Sequence, residues 1–310
     1  MRKQKHLLKR LSQNKIIVIC GQTATGKSSL AVKLARRFNG EIISADSRQV
    51  YKGMDIGTDK ITRKEMRGIP HYLLDIADPR RQFSVVLYKK MAEKKIREIS
   101  TRKKIPILVG GTGFYISAIT NDFTPPPVPP NTELRKKLSK LSPARLMTML
   151  KKLDPERALT VEVKNPRRII RAIEIARAIG KVPSIKKISK YKVLFIGLTI
   201  PQEMLKTKIK YRFLKNLKNG LLKETSRLRQ RGLSWKRLES FGLYYKYATF
   251  FLQKKISPTQ MMDSAVSGVW QYARRQRTWF KRDQRIKWFN SGDPAGYKKI
   301  CGAVKQFLLK

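Results

Sequence analysis

The sequence predicts an α/β protein: a doubly wound parallel sheet, an inserted all-helical domain and a C-terminal set of basic helices. Three observations predict it. The β-branched run Ile16 to Cys20 leads through a glycine-containing turn into a helical pattern, as a strand–loop–helix unit does. Strand and helix patterns then alternate to about residue 123, the order that a parallel sheet requires. Five prolines between Pro125 and Pro130 end the alternation, and the chain from there to about residue 190 reads as helix only.

The first helical pattern runs from Ser28 to Phe38, with Leu30, Leu34 and Phe38 at helical spacing. The turn before it, GQTATGKSS from Gly21 to Ser29, matches G-x-x-x-x-G-K-[ST]. Its glycines let successive backbone amides turn inward around an anion, and the helix N-terminus adds the positive end of its dipole. Lys27 supplies a mobile charge and Ser28 a hydroxyl for Mg2+. The sheet is therefore P-loop NTPase-like.

Gly40 breaks the helix. A second strand, Glu41 to Ala45, delivers Asp46, Ser47, Arg48 and Gln49 at its C-terminal end, the ligand-facing edge of such a sheet. Tyr51 to Thr58 reads as a loop and Gly68 to His71 as a short connection; His71, alone beside Pro70, is read as structural. Ser84 caps a helix to about Ile99, with Val85, Tyr88, Met91, Ala92, Ile96 and Ile99 on one face. The strand Ile105 to Val109 enters a second glycine turn, Gly110 to Gly113, before a helical run from Phe114 to Ile119.

The prolines form a stiff hinge. Helices beyond it start at Thr132, at Ser142-Pro143 and at Asn165-Pro166. The last of them, Arg167 to Ile179 with Gly180 as its stop, turns Ile169, Ile170, Ile173 and Ala176 inward and groups Arg167, Arg168 and Arg171 elsewhere. Val193 to Leu198 reads as a strand rejoining the sheet. A helix after Pro201 carries Leu205, Ile209, Phe213 and Leu217 on one face and Lys208, Arg212 and Lys215 on another, closed by Gly220. Ser257-Pro258 opens the last long helix, in which Trp270 to Phe280 interleaves aromatics with arginines. The domains are thus a basic arm over 1–15, a catalytic core over 16–123, a helical insertion over 124–190, and core completion with basic helices over 191–310.

Charge points to the partner. Seventy Lys plus Arg against 21 Asp plus Glu leaves a formal +49 over 310 residues, more than solubility needs, so a polyanion such as nucleic acid is implied. Residues 16–123 carry +10, 124–190 carry +12 and 191–310 carry +21, so the grip lies mainly in the later segments. Cys20 and Cys301 have neither metal-ligand spacing nor disulfide density. No apolar run reaches a membrane span and the N-terminus has no apolar signal region. A cytoplasmic monomer is expected.

A P-loop that hydrolyses a triphosphate normally has a second acid at the end of an apolar strand. Here Ile105 to Val109 ends in Gly-Gly, and the acid on a strand end near the loop is Asp46. That pattern suits a base held over a diphosphate. A small-molecule kinase leaves the charge unexplained, and a non-catalytic RNA-binding protein leaves Asp46, Thr23 and Lys27 idle together.

The sequence resembles the tRNA dimethylallyltransferase family over roughly residues 15 to 290. The motifs GQTATGKS (from Gly21), ISADSRQVYKGMDIGT (from Ile43), GIPH (from Gly68), VGGTG (from Val109), NPRR (from Asn165) and RQRTW (from Arg275) stand in the family's order. The resemblance implies transfer of a dimethylallyl group from dimethylallyl diphosphate to the exocyclic amine of the adenosine 3′ of a tRNA anticodon, with Mg2+. It implies that Gly21, Gln22, Thr23, Ala24, Thr25, Gly26, Lys27, Ser28 and Ser29 hold the diphosphate together with Lys208 and Arg212. Asp46 would accept the amine proton and Thr23 would hydrogen-bond the bridging oxygen. Ser47 and Gln49 would read the flipped adenine, and Arg48, Thr112, Arg135, Arg167, Arg168, Arg171, Arg275 and Gln276, with Asp46, would contact the tRNA anticodon stem-loop.

Three positions depart from the family pattern. Gln22 replaces a proline and Lys208 an arginine facing the diphosphate; a lysine keeps the charge but loses the bidentate fork, so either the neighbouring Arg212 shares the role or the rate is lower. Phe241 to Lys246 replaces a Gly-Tyr followed by a basic and a polar residue.

Overall fold

A computed structural model of the protein describes residues 15–123, 125–183 and 189–310. The expected basic arm therefore lies, Lys15 apart, outside the described residues. The chain divides into two compact units, Met1–Asp122 with Ile188–Lys310, and Phe123–Lys187.

The first unit is built on strands β1 (Lys15–Gly21), β2 (Gly40–Ser44), β3 (His71–Tyr72), β4 (Ile105–Val109), β5 (Lys192–Thr199) and β6 (Ile286–Asn290). They form one all-parallel sheet in the order β3-β2-β4-β1-β5-β6. β1 lies near its middle because Ile16 to Cys20 are apolar on both faces, each at most 1% exposed. From β1 the chain goes outward to β2 and β3, returns to insert β4, and later adds β5 and β6 on the other side. The crevice outside the carboxyl ends of β1 and β4 is where a sheet with this switch binds ligands.

Helix α1 (Lys27–Arg37) packs Leu30, Ala31 and Leu34 on one face of the sheet. After the short helix α2 (Arg63–Met66), α3 (Val85–Thr101) covers the other face with Tyr88, Ala92, Ile96 and Ile99. Ser84 caps α3 by accepting from the Leu87 N–H at 3.2 Å. Helix α4 (Gly113–Thr120) follows the second glycine turn. His71 is structural: its Nδ1 meets the Ile69 carbonyl at 2.8 Å, and burial pulls its pKa down.

The second unit holds α5 (Thr132–Leu138), α6 (Pro143–Leu153), α7 (Pro155–Thr160) and α8 (Pro166–Ile179) around Leu138, Leu146, Leu150, Ile169 and Ile173. Asn131, not Thr132, caps α5: its side chain accepts from Leu134 N–H at 2.9 Å, and Thr132 is already inside the helix. Back in the first unit, α9 (Gln202–Lys218), α10 (Leu221–Gln230), α11 (Trp235–Ser240), α12 (Leu243–Leu252) and α13 (Pro258–Lys281) pack together around Phe213, Phe241, Tyr245 and Ala265. Ser257 and Gln260 close a capping box on α13. α14 (Gly296–Leu309) returns Ile300, Cys301 and Val304 to the sheet face that α1 covers.

Candidate active site

The turn after β1 has backbone shapes that its sequence was chosen for. Gly21 takes φ 129°, and a Cβ there would stand 2.4 Å from the Leu198 carbonyl oxygen of β5. Gly26 takes φ 84° as the first cap of α1, and Ala24 shares the left-handed region at φ 61°. The Lys27 ammonium donates to the Gln22 carbonyl at 2.5 Å and the Thr25 hydroxyl donates to the same oxygen at 2.8 Å. Thr23, Ala24, Gly26, Lys27, Ser28 and Ser29 line a cavity of about 200 Å3. Gly21, Gln22 and Thr25, expected with them, build the loop instead. Gln22 is buried and turns away from the cavity to donate to the Ala273 carbonyl of α13 at 3.2 Å.

The same helix clamps the loop with Gln276. Its Oε1 accepts from the Thr23 N–H at 2.8 Å and its Nε2 donates to the Gly111 carbonyl at 2.9 Å. Gln276 is buried, and with both ends of its amide engaged it is a brace between two glycine turns, not the exposed nucleic-acid contact the sequence suggested. Two glycines occur together here for steric reasons: a Cβ on Gly110 would lie 2.1 Å from the Ala45 carbonyl oxygen, and one on Gly111 would lie 2.3 Å from Gln276 Nε2.

Asp46 follows β2 and lines this cavity. Its Oδ1 accepts from the Arg48 N–H at 2.8 Å. The Thr112 hydroxyl accepts from the Ser47 N–H at 3.0 Å and lies 3.3 Å from the Ser47 hydroxyl, so the two turns are also joined beside Asp46. Gln49 donates its amide to the carbonyls of Thr58 and Asp59, each at 3.2 Å.

From the opposite wall, α9 contributes Arg212. Its Nη2 donates to the Thr23 hydroxyl at 2.6 Å, and its Nε lies 3.2 Å from Asp59 Oδ2 without hydrogen-bond alignment. Lys208, one turn earlier, is exposed and does not line the cavity; Arg212 is the α9 cation that the fold brings in. Burial pulls Lys27 down to about 8, reinforced by Arg212 and opposed by Asp46 and Cys20.

Thr23, Asp46, Asp59, Arg212, Tyr272 and Gln276 are shared with a second, larger cavity of about 590 Å3. Phe114, Phe241, Leu243, Tyr244, Val269 and Trp279 give it apolar walls, while Ser47, Arg48, Thr112, Lys246 and Arg275 bring polar groups. Gly113 makes room for Trp279, whose indole nitrogen would be 2.1 Å from a Cβ there. Burial, with Asp46 nearby, pushes the Tyr272 phenol up to about 12, so it stays a neutral donor. Part of the unusual stretch Phe241 to Lys246 thus faces this cavity.

The arginines of the helical unit divide. Arg135 donates to both oxygens of the buried Glu174, at 2.9 and 2.7 Å, and Arg171 donates to Glu174 and, at 2.9 Å, to the Val128 carbonyl. These two, expected to meet RNA, hold the unit together. Arg167 and Arg168 are exposed, Arg168 pairing at 2.7 Å with the exposed Glu162.

Three positions had no role in the sequence reading. Asp59 and Tyr272 line the cavity. Glu224 of α10 is 3% exposed and accepts from the N–H groups of Asp55, Ile56 and Gly57, all at 3.0 Å, and from the Tyr245 hydroxyl at 2.6 Å. It anchors the loop that carries Thr58 and Asp59. Glu224 is the acid that falls with Leu221 and Leu228 on the buried face of a polar helix, which was the available signal.

Among the described residues, no cluster of three or more His, Cys, Asp or Glu side chains could hold a metal, and no helix is long and apolar enough to cross a membrane. The cavity does offer the hydroxyl of Ser28 and the carboxylate of Asp46, hard oxygen donors of the kind that suit a Mg2+ ion held mostly by phosphate and water.

A family model described as IPP transferase matches residues 49–283. The tRNA dimethylallyltransferase of Anoxybacillus flavithermus is 37% identical over 300 residues, covering 95% of this chain and 96% of its own. That of Carboxydothermus hydrogenoformans is 42% identical over 288 residues, with 90% and 92% covered. Among solved structures, the tRNA isopentenylpyrophosphate transferase of Bacillus halodurans is 35% identical with a TM-score of 0.72 over 95% of this chain and 98% of that one. A eukaryotic dimethylallyltransferase acting on tRNA is 27% identical with a TM-score of 0.82, covering 96% and 79%.

Proposed function

The chain belongs to the tRNA dimethylallyltransferase (IPP transferase) family, and from that premise we propose how its residues carry the family's reaction. A dimethylallyl group passes from dimethylallyl diphosphate to the exocyclic amine of the adenosine 3′-adjacent to a tRNA anticodon, and pyrophosphate leaves. The observation that carries this reading is the pair of joined cavities, one polar and P-loop-lined, the other apolar-walled, with Asp46, Thr23 and Arg212 common to both.

The diphosphate sits in the smaller cavity, against the amides of the loop, Lys27 and Arg212. The dimethylallyl group lies among the aromatic walls of the larger one. The adenine, flipped out of the anticodon loop, enters beside Ser47 and Gln49. Its amine lone pair attacks the allylic carbon as the carbon–oxygen bond breaks, and the electron pair leaves with pyrophosphate. Asp46 takes the amine proton. Thr23, held by Arg212, donates to the bridging oxygen as charge develops there. An aryl amine is a poor nucleophile, so holding it about 3 to 3.5 Å from the carbon supplies much of the acceleration. Mg2+, when bound, neutralises diphosphate charge; Ser28 and the phosphate oxygens would hold it. Exposed Arg167, Arg168 and Arg275 meet tRNA phosphates, and the enzyme works as a cytoplasmic monomer.

Because burial, with Arg212 beside it, pulls Lys27 down to about 8, donor binding should take up a proton and weaken as pH rises through that value. The reaction itself is tested with labelled dimethylallyl diphosphate, Mg2+ and either unmodified tRNA or AMP. Label on tRNA alone supports the assignment. Label on AMP at equal rate, or phosphorylation of an acceptor by ATP, would overturn it.

A further inference from the structure

The smaller cavity contains a carboxylate that an anion site does not need. Asp59 lines it, and burial pushes its carboxyl up, opposed by Arg212 and by the amide of Asn216. Asn216 Nδ2 donates to Asp59 Oδ1 at 2.8 Å, and Arg212, one turn earlier on α9, faces Oδ2. The backbone is bent to present this group: Asp59 has φ 51°, in the left-handed region, with its N–H donating to the Ile56 carbonyl at 3.1 Å. Gln49 and Glu224 fix the same loop from either side.

Resting on the function proposed above, we propose that Asp59 is an affinity-setting residue for the diphosphate. Before the donor binds, it partly cancels the Arg212 charge and keeps that guanidinium on Thr23. When pyrophosphate forms, Asp59 repels it, so the product is released from a pocket that Lys27, Arg212 and the loop amides would otherwise hold tightly. A group with this role limits donor and product affinity alike and trades binding for turnover.

Asp59→Asn keeps the shape, the contact to Asn216 and tolerance of the left-handed backbone while removing the charge. Calorimetry of inorganic pyrophosphate with the full-length protein should show binding roughly tenfold tighter than the parent, from one unit charge removed at short range. Multiple-turnover prenylation of tRNA should slow relative to single-turnover transfer. Asp59→Gly, which relieves the positive φ, gives the same readout should the Asn variant fold poorly. Equal or weaker pyrophosphate binding by either variant, with cooperative melting retained, would overturn the proposal. So would weakening confined to buffers containing Mg2+, which would make Asp59 a metal-side group. If the parent itself bound no pyrophosphate and transferred no label, the reading of the site would fail instead.

Discussion

Glu174, buried, and Asp59, half-buried, are both carboxylates facing arginine, and they do different things. Glu174 accepts from Arg135, Arg171 and the Asn131 N–H, and although burial pushes its pKa up, these bonds outweigh it and hold the pKa below the usual carboxylate value. Asp59 has one aligned bond, from Asn216, and an unaligned arginine, so burial wins and its pKa is raised. A saturated carboxylate holds helices together. An undersaturated one beside a cavity leaves its arginine able to serve a ligand. The satisfaction of the acid, more than the exposure of the arginine, separates framework from site.

The largest effect should come from Asp46, the cavity carboxylate that, among the described residues, no side-chain cation pairs with. Asp46→Ala should slow single-turnover transfer by ~100 to 10,000-fold, the usual worth of a general base, with tRNA affinity little changed. A loss of only a few-fold would return Asp46 to a framework role.

Next is Glu174. Glu174→Ala leaves Arg135 and Arg171 unpaired, and the protein should lose about 3 kcal/mol in denaturant melts, the low end for a broken buried pair because both arginines reach solvent. Since its folded pKa is depressed, its contribution is fully present above the unfolded carboxylate value of about 4.3 and is lost as pH falls through the folded one. Unchanged stability, or a contribution that vanishes on raising the pH instead, would break the comparison.

Glu224 tests it from within the catalytic unit. It is saturated like Glu174 yet supports the loop bearing Asp59. Glu224→Gln loosens the loop that holds Asp59 against Arg212 and so weakens the repulsion of the diphosphate; it should lower the KM for dimethylallyl diphosphate several-fold, roughly 1 kcal/mol, with kcat less affected and with tRNA affinity intact. A fall in kcat at constant KM would place its influence on the reacting atoms and not on the diphosphate wall.

What could be read in the sequence was what the sequence determines locally. β1 and β4, the Ser84 and Ser257 caps and the P-loop follow from short-range patterns, because β-branched runs, capping residues and glycines act on their immediate neighbours. α10, α11 and α12 were not foreseen: Leu243 to Leu252 is apolar around most of its circumference and shows no clean stripe. β6 was missed because as an edge strand it is mostly exposed and carries Lys287 at its second position. The site was legible where motif residues line the cavity themselves. It was not where a side chain works through a distant partner: Gln276 is 253 residues from Thr23, Arg212 is 189, and Glu224 is 169 from Asp55. The resemblance assigns Arg135 and Arg171 to RNA as readily as Arg168, since only folding reveals that Glu174 has claimed them.

That distinction yields the smallest and most selective effect. If exposed arginines and lysines contact about six phosphates, log affinity for tRNA should fall against log salt with a slope of roughly 4 to 5, at ~0.7 to 0.9 per contact. Arg168 pairs with an exposed Glu162, a contact worth little, so it is available to a phosphate; Arg275 is exposed at the larger cavity. Arg168→Ala and Arg275→Ala should each lower the slope by about one unit without changing melting temperature or donor binding. Arg135→Ala should do the reverse, costing stability while leaving the slope nearly intact, because Glu174 already holds its guanidinium. Filter-binding titrations of each variant over a salt series, beside thermal melts, read both quantities. A lower slope for Arg135→Ala at unchanged stability would show that a saturated carboxylate can still release its arginine to RNA, and the rule drawn from Glu174 and Asp59 would fall.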